Sequence, residues 1–229
     1  GNIGGERYVI LRHDVDRDSV NAMVMGEIEA ELGIFSTYYF RILPVSFSEV
    51  VIKKLVLLGH EIGYHYEDLA LSNGDYDKAI SMFEDHLEVL RKYYDVKTVC
   101  MHGSPMSRWN SLTMWDNYDY RDYGIIGEPF KDIDYNDVFY LTDTGRGWNK
   151  NKYSLRDKVE TRYNYDIRDT YELINNIESN DDFPRHLMIN THTNRWYDSY
   201  FKWSKELIMQ GIKNTVKMVL NKFLIKIKN

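Results

Sequence analysis

Short apolar runs rich in strand formers alternate along this chain with runs of helical periodicity, and that alternation is what most limits how it can fold. Tyr8-Val9-Ile10-Leu11 reads as a first strand. Val20, Val24, Ile28 and Leu32 then recur at helical spacing, and Gly33 ends that run as glycine usually does past a helix. Further strands are predicted at residues 36–40, 61–64, 98–101, 123–126, 138–142 and 187–191. Helices are predicted at 46–58, 75–93 and 171–177, the second carrying Ile80, Phe83, Leu87 and Leu90 on one face. Such alternation argues for an α/β fold with a mostly parallel sheet. Residues 115–168 have weak periodicity and many Asp, Asn, Tyr and Gly, and read as long functional loops around short strands.

No repeat, low-complexity segment or linker interrupts the pattern, so residues 1–229 are expected to form a single domain. A net charge of −6 argues against a general nucleic-acid binder. Cys100 is the only cysteine, which excludes an intramolecular disulfide and a cysteine-rich zinc site. No secretory apolar segment is present, and a reducing, cytoplasmic setting is the default expectation. Nineteen Tyr and five Trp are a stock of side chains that line sugar clefts, or simply pack.

The last stretch differs from the rest. Leu207, Ile208, Ile212, Val216, Val219, Leu220, Phe223, Leu224 and Ile227 form an apolar stripe, and residues 202–229 carry seven lysines against Glu206 alone. That gives the segment +6 and leaves −12 for the remainder. A basic amphipathic helix can lie on an anionic membrane. The expectation adopted is the plainer one, a closing helix whose apolar stripe packs on the domain and whose lysine face is solvated.

The residues able to do chemistry share one kind of address. Arg12-His13-Asp14-Val15-Asp16 follows the first strand, His65 the third, and His102-Gly103-Ser104-Pro105 the fourth. Asp143-Thr144-Gly145-Arg146 follows residues 138–142, and His192-Thr193-Asn194-Arg195-Trp196 follows the late strand. In parallel barrels the active site gathers at the carboxyl ends of the strands. Asp14 and Asp16, two apart in an extended chain, can converge on one point. Two carboxylates that close need a cation or a proton between them. A capping role for one of them is the blander alternative, although Asp18 and Ser19 are better placed to cap the following helix. Carboxylate and imidazole without thiolate suit zinc, iron, cobalt, nickel or manganese better than calcium.

Arg12-His13-Asp14-Val15-Asp16, then Gly59-His60-Glu61-Ile62-Gly63-Tyr64-His65, then Thr191-His192, resemble the motifs of the polysaccharide deacetylase family of carbohydrate esterases. The divergence of the motifs resembles a branch linked to O-antigen and other surface-glycan biosynthesis. The resemblance implies a distorted, TIM-like (β/α) barrel of about seven parallel strands. It also implies a divalent metal, zinc first among the candidates, and hydrolysis of an N-acetyl group from an amino sugar. Position by position, Asp14 matches the general base, Asp16 and His65 match metal ligands, and His192 matches the late general acid. His60 matches a position that is not a ligand and reads as structural. Asp143 with Arg146, or Trp148, stands in for later elements of the pattern. Arg12, Asp143, Arg146, Arg195 and Trp196 are expected to contact substrate, and Arg12, Arg108 or Arg195 to supply the charge of an arginine missing from the His102 motif.

The family places a second histidine four residues after the first, and here that position is Leu69. His102 is the expected replacement, ahead of Glu67 and Asp68. A cytoplasmic enzyme of this kind is expected to act on a nucleotide-linked or lipid-linked amino sugar. The alternative is a deacetylase-like glycan-binding or regulatory module that has lost its metal.

Overall fold

The first strand, β1 (Tyr8–Val15), runs four residues beyond its apolar opening, so Asp14 lies inside the strand and Asp16 one residue past it. The structure, a computed structural model, describes residues 7–148, 156, 158–197 and 199–228. It divides into two compact units, Leu11–Ile133 and the described residues on either side of that span.

In the Leu11–Ile133 unit the end of β1 is followed by α1 (Ser19–Glu31), β2 (Thr37–Phe40), α2 (Glu49–Leu57), β3 (Glu61–Tyr66), α3 (Asp68–Leu71), α4 (Tyr76–Arg91), β4 (Val99–Met101) and α5 (Pro129–Asp132). The strands lie in the order β4-β3-β2-β1, and each adjacent pair is parallel. Parallel neighbours need a crossover between them, and the helices supply it. The amphipathic α4 starts at Asp75, whose carboxylate accepts the Lys78 backbone N–H at 3.0 Å. Its Ile80, Phe83, Leu87 and Leu90 are buried in the core, and truncating Phe83 to alanine there costs about 3–5 kcal/mol. Gly63 faces Tyr39 across β2 and β3, and a Cβ there would sit 2.4 Å from the Tyr39 ring.

The helix α1 turns the other way from its sequence pattern. Val20, Ile28 and Leu32 are exposed, while Ala22 and Gly26 are buried. Gly26 allows close packing, since a Cβ there would meet Leu55 at 2.3 Å, and its carbonyl is 2.9 Å from His60 Nε2. Glu29, also on the inner side, bonds to His13, Ser36 and Tyr38. Asp18 sits at the N-cap with a left-handed backbone, φ 52°, and makes no side-chain capping bond.

The other unit holds Tyr8–Ile10 of β1 with β6 (His186–His192) and β5 (Phe139–Thr142), in the order β1-β6-β5. The Tyr8 N–H donates to the Arg185 carbonyl at 3.1 Å, and β5 and β6 are parallel. Two more helices follow the pattern, α6 (Thr170–Ser179) and α7 (Tyr200–Lys228). Phe139, Leu141, Trp148, Ile167, Leu173, Phe183 and Leu187 form this unit's core.

The protein is therefore α/β, with six parallel strands described against an expectation of about seven. Residues 123–126 do not form a strand. Gly124 adopts φ 72° at the end of a short 3-10 turn, and what remains is a single bridge between Thr98 and Gly127. Of the span read as loops, residues 149–155 and 157 lie outside the described residues. The expectation that α7 buries its apolar stripe is overturned for residues 200–212. Phe201, Ile208, Met209 and Ile212 are exposed, and Gln210 is the buried residue.

Candidate active site

Four adjacent parallel strands in the Leu11–Ile133 unit deliver a carboxylate, guanidinium or imidazole side chain at or just past their carboxyl ends. They are Asp14 and Asp16 from β1, Arg41 from β2, His65 from β3 and His102 from β4. His65 Nε2 lies 3.6 Å from Asp16 Oδ1, and His102 Nε2 lies 3.6 Å from the same oxygen. These separations are too long for hydrogen bonds. They match the roughly 3.4 Å between neighbouring ligand atoms in a tetrahedral site with metal–ligand bonds of about 2.1 Å. The two imidazole rings meet edge to face, 5.1 Å between centroids.

Both rings are held by their other nitrogen. His65 Nδ1 lies 2.9 Å from the Cys100 carbonyl, which can only accept, so Nδ1 carries the hydrogen. His102 Nδ1 lies 2.8 Å from Glu67 Oε2. Burial alone would raise the Glu67 carboxyl, but the hydrogen bond and charge of His102 and the Arg41 guanidinium outweigh it and bring it to about 2. An ionised Glu67 accepts only, so His102 Nδ1 is also the donor. With Nδ1 committed to a backbone carbonyl in His65 and to a carboxylate in His102, Nε2 is the nitrogen each ring can offer a metal, the kind of outer partnership that orients metal-binding imidazoles. The donor set Asp16, His65 and His102 thus fits a divalent transition metal.

Arg41 and Ser104 complete the support. Arg41 Nε donates to Glu67 Oε1 at 2.6 Å, and its Nη1 donates to the Asp16 carbonyl at 3.2 Å, so one guanidinium ties two ligand-bearing segments together. Ser104 Oγ donates to Glu67 Oε2 at 2.9 Å from a left-handed backbone, φ 37°, the kind of local strain found at functional sites. Sequence reasoning missed Arg41 altogether. Its signal was the position directly after the Tyr38-Tyr39-Phe40 run. Glu67 was read as a rival ligand, whereas it supports the actual candidate. Asp68 is occupied elsewhere, with Tyr64 and His86. Leu69 is fully buried in the apolar core and points no donor anywhere.

Asp14 sits beside the donor cluster, its Oδ2 3.7 Å from His65 Nε2. Arg12 grips it with two parallel bonds, Nε to Oδ1 at 2.9 Å and Nη2 to Oδ2 at 2.7 Å. Arg12 is fully buried between the Tyr39 and Phe130 rings. The expectation that Arg12 contacts substrate is therefore corrected: it positions Asp14 from behind. Cys100 was not expected near the site, yet its sulfur groups with Asp14 and His65 within 4.8 Å.

The other unit carries a second cluster. His192 Nδ1 lies 2.6 Å from Asp143 Oδ1, and Trp196 Nε1 donates to Asp143 Oδ2 at 3.2 Å. Arg195 also bonds to that carboxylate. Burial would raise the Asp143 carboxyl, but Arg195 and His192 hold it below its ordinary value. Both oxygens of Asp143 accept protein donors, which anchors His192 and Arg195, and the residue also lines the cavity of this unit. Arg146 pairs with Glu206 of α7 and stacks on Trp203. A cavity of about 260 Å³ opens here, with Arg146, Arg195, Trp148, Trp196 and Trp203 among its lining side chains.

No family profile and no curated protein matches the chain. Among solved structures it is similar to the family 4 carbohydrate esterase domain of a multidomain xylanase from the hindgut metagenome of Trinervitermes trinervoides. That likeness has 15% identity and a TM-score of 0.47, covering 92% of this chain and 85% of the other. It is also similar to a family 4 carbohydrate esterase from Bacillus anthracis, at 10% identity and a TM-score of 0.47, covering 92% and 77%. A family 4 pseudoenzyme from Bacillus anthracis gives 12% identity and a TM-score of 0.49, covering 90% and 60%.

Proposed function

We propose that this protein is a metal-dependent hydrolase that removes an N-acetyl group from an amino sugar, as the motif resemblance implies. The observation that carries the reading is the convergence of Asp16, His65 and His102 at ligand-to-ligand distances, with both Nδ1 atoms already committed. A divalent metal held there, zinc first among the candidates, would supply a water of lowered pKa and polarise the acetamide carbonyl.

The chain's own residues carry the protons. Asp14, oriented by Arg12, accepts the proton of the attacking water. The motif resemblance assigns the proton for the departing amine to His192, whose Nε2 is the available nitrogen because Nδ1 is engaged with Asp143. Water and acetamide thus give acetate and a free amine. Arg146, Arg195 and Trp196, around the cavity of the other unit, are the proposed sugar contacts. A role in surface-glycan biosynthesis in the cytoplasm, on a nucleotide-linked or lipid-linked sugar, completes the proposal.

The test is acetate release from nucleotide-linked and lipid-linked N-acetylated amino sugars by zinc-loaded protein. Activity that survives Asp16→Ala would sink the scheme. Glycan binding by a protein that takes up no metal would favour the inactive-module alternative instead.

A further inference from the structure

The first half of α7 is built inside out. Glu206, Gln210 and Asn214, spaced four apart and so on one face, are the residues turned toward their own unit. Glu206 pairs with Arg146, Gln210 is 5% exposed, and Asn214 donates to the Gly145 carbonyl at 3.1 Å. The surface this helix lies on is polar, so the helix shows it a polar stripe. Trp203 shares that face, lying on the Arg146 guanidinium, but Phe201, Leu207, Ile208, Met209 and Ile212 are exposed. Phe201 is 77% exposed, Ile208 65% and Ile212 55%, with Met209 and Tyr200 beside them. Residues 201, 205, 208 and 212 follow one another at helical spacing, so exposed Lys205 lies within the apolar row and exposed Lys202 flanks it.

We propose that this outward face of α7 docks on an anionic lipid surface. An apolar row edged by lysines is the pattern that seats a helix at the headgroup boundary, aromatic and aliphatic groups entering while ammonium groups reach back to phosphate. Charge decides between a lipid surface and a second copy of the same helix. Residues 202–229 carry seven lysines against one glutamate, so two such segments repel each other, whereas anionic headgroups attract each one. No described helix is long and apolar enough to cross a membrane, so the contact is interfacial.

The experiment is flotation of the full chain with vesicles of phosphatidylcholine alone and with about 30% phosphatidylglycerol. Selective capture by the anionic vesicles is expected, and it weakens as salt is raised. The variant Phe201→Ser/Ile208→Ser/Ile212→Ser is expected to lose at least tenfold in vesicle partitioning. Lys202→Glu/Lys205→Glu should lose capture while keeping the apolar row. Because all five residues are exposed, unchanged thermal melting is expected for both variants. Capture that is absent, indifferent to lipid charge, or unchanged in both variants overturns the proposal. So does self-association abolished by the serine variant in the absence of vesicles. Acetate release plays no part in the readout, so the result is separable from the fate of the catalytic proposal.

Discussion

His102 Nδ1 lies 2.8 Å from Glu67 Oε2, so a carboxylate two residues past His65 on β3 orients the imidazole that follows β4. The same carboxylate is gripped by Arg41 and Ser104. A metal ligand held this firmly by its outer partner loses affinity when the partner goes. Glu67→Ala is expected to weaken zinc binding by about 10–100-fold, and Glu67→Gln, which keeps one acceptor oxygen, by less. His102→Ala and His65→Ala should each abolish stoichiometric binding. Chelator competition measures all four, and undiminished affinity in Glu67→Ala would show that His102 needs no such support.

Restoring the usual spacing should fail. Leu69 is completely buried among the apolar residues around α3 and α4, where an imidazole finds no partner. Leu69→His is expected to destabilise the protein by about 2–4 kcal/mol in urea unfolding and to leave zinc affinity no higher. A variant that binds zinc more tightly would mean that α3 can turn position 69 toward the donors.

The strand ends were legible because an apolar run followed at once by Asp or His is a strong local signal, and β1, β3, β4, β5 and β6 all carry it. Which way a helix faces was not legible. The periodicity of α1 and α7 marks an apolar stripe, but the inward side is decided by what lies opposite. For α1 that is Leu55 and the His13–Ser36–Tyr38 network, which accept Gly26 and Glu29. For α7 it is Arg146 and the Gly145 carbonyl, which accept Glu206 and Asn214. His102 was a legible candidate because it follows a neighbouring strand, whereas Arg41 and Glu67 act through partners 26 and 35 residues away, a separation that spacing rules do not reach.

Arg12 and Asp14 form a buried ion pair, and removing one partner of such a pair strands the other charge. Arg12→Leu is expected to cost about 3–5 kcal/mol of stability. Asp14→Asn keeps an acceptor for Arg12 and should leave zinc binding intact while lowering acetate release by about 10²–10⁴-fold. Unfolding curves and turnover separate the two effects. Equal loss of metal in Asp14→Asn would make Asp14 a ligand rather than the base.

Glu128 gives the fold a pH dependence of its own. It is fully buried, its Oε1 accepting from the Met101 N–H at 3.0 Å and from Tyr66 Oη at 3.3 Å, its Oε2 from the Phe130 N–H at 2.6 Å. Burial pushes its carboxyl up to about 7, against the pull of the Met101 amide and Arg12. In the unfolded chain the same group titrates near 4.5. Between those values the unfolded chain has released its proton and the folded one has not, so the unfolded state binds fewer protons. This group's contribution to stability is therefore fully present below about 4.5, falls as pH rises, and levels off above about 7. The slope for one such group reaches at most about 1.4 kcal/mol per pH unit. Glu128→Gln cannot titrate and should flatten the curve over that window, whatever its effect on stability at low pH. Urea unfolding of both proteins at pH 5, 6, 7 and 8 provides the comparison. Parallel curves would mean that the amide and Tyr66 donors keep Glu128 ionised throughout.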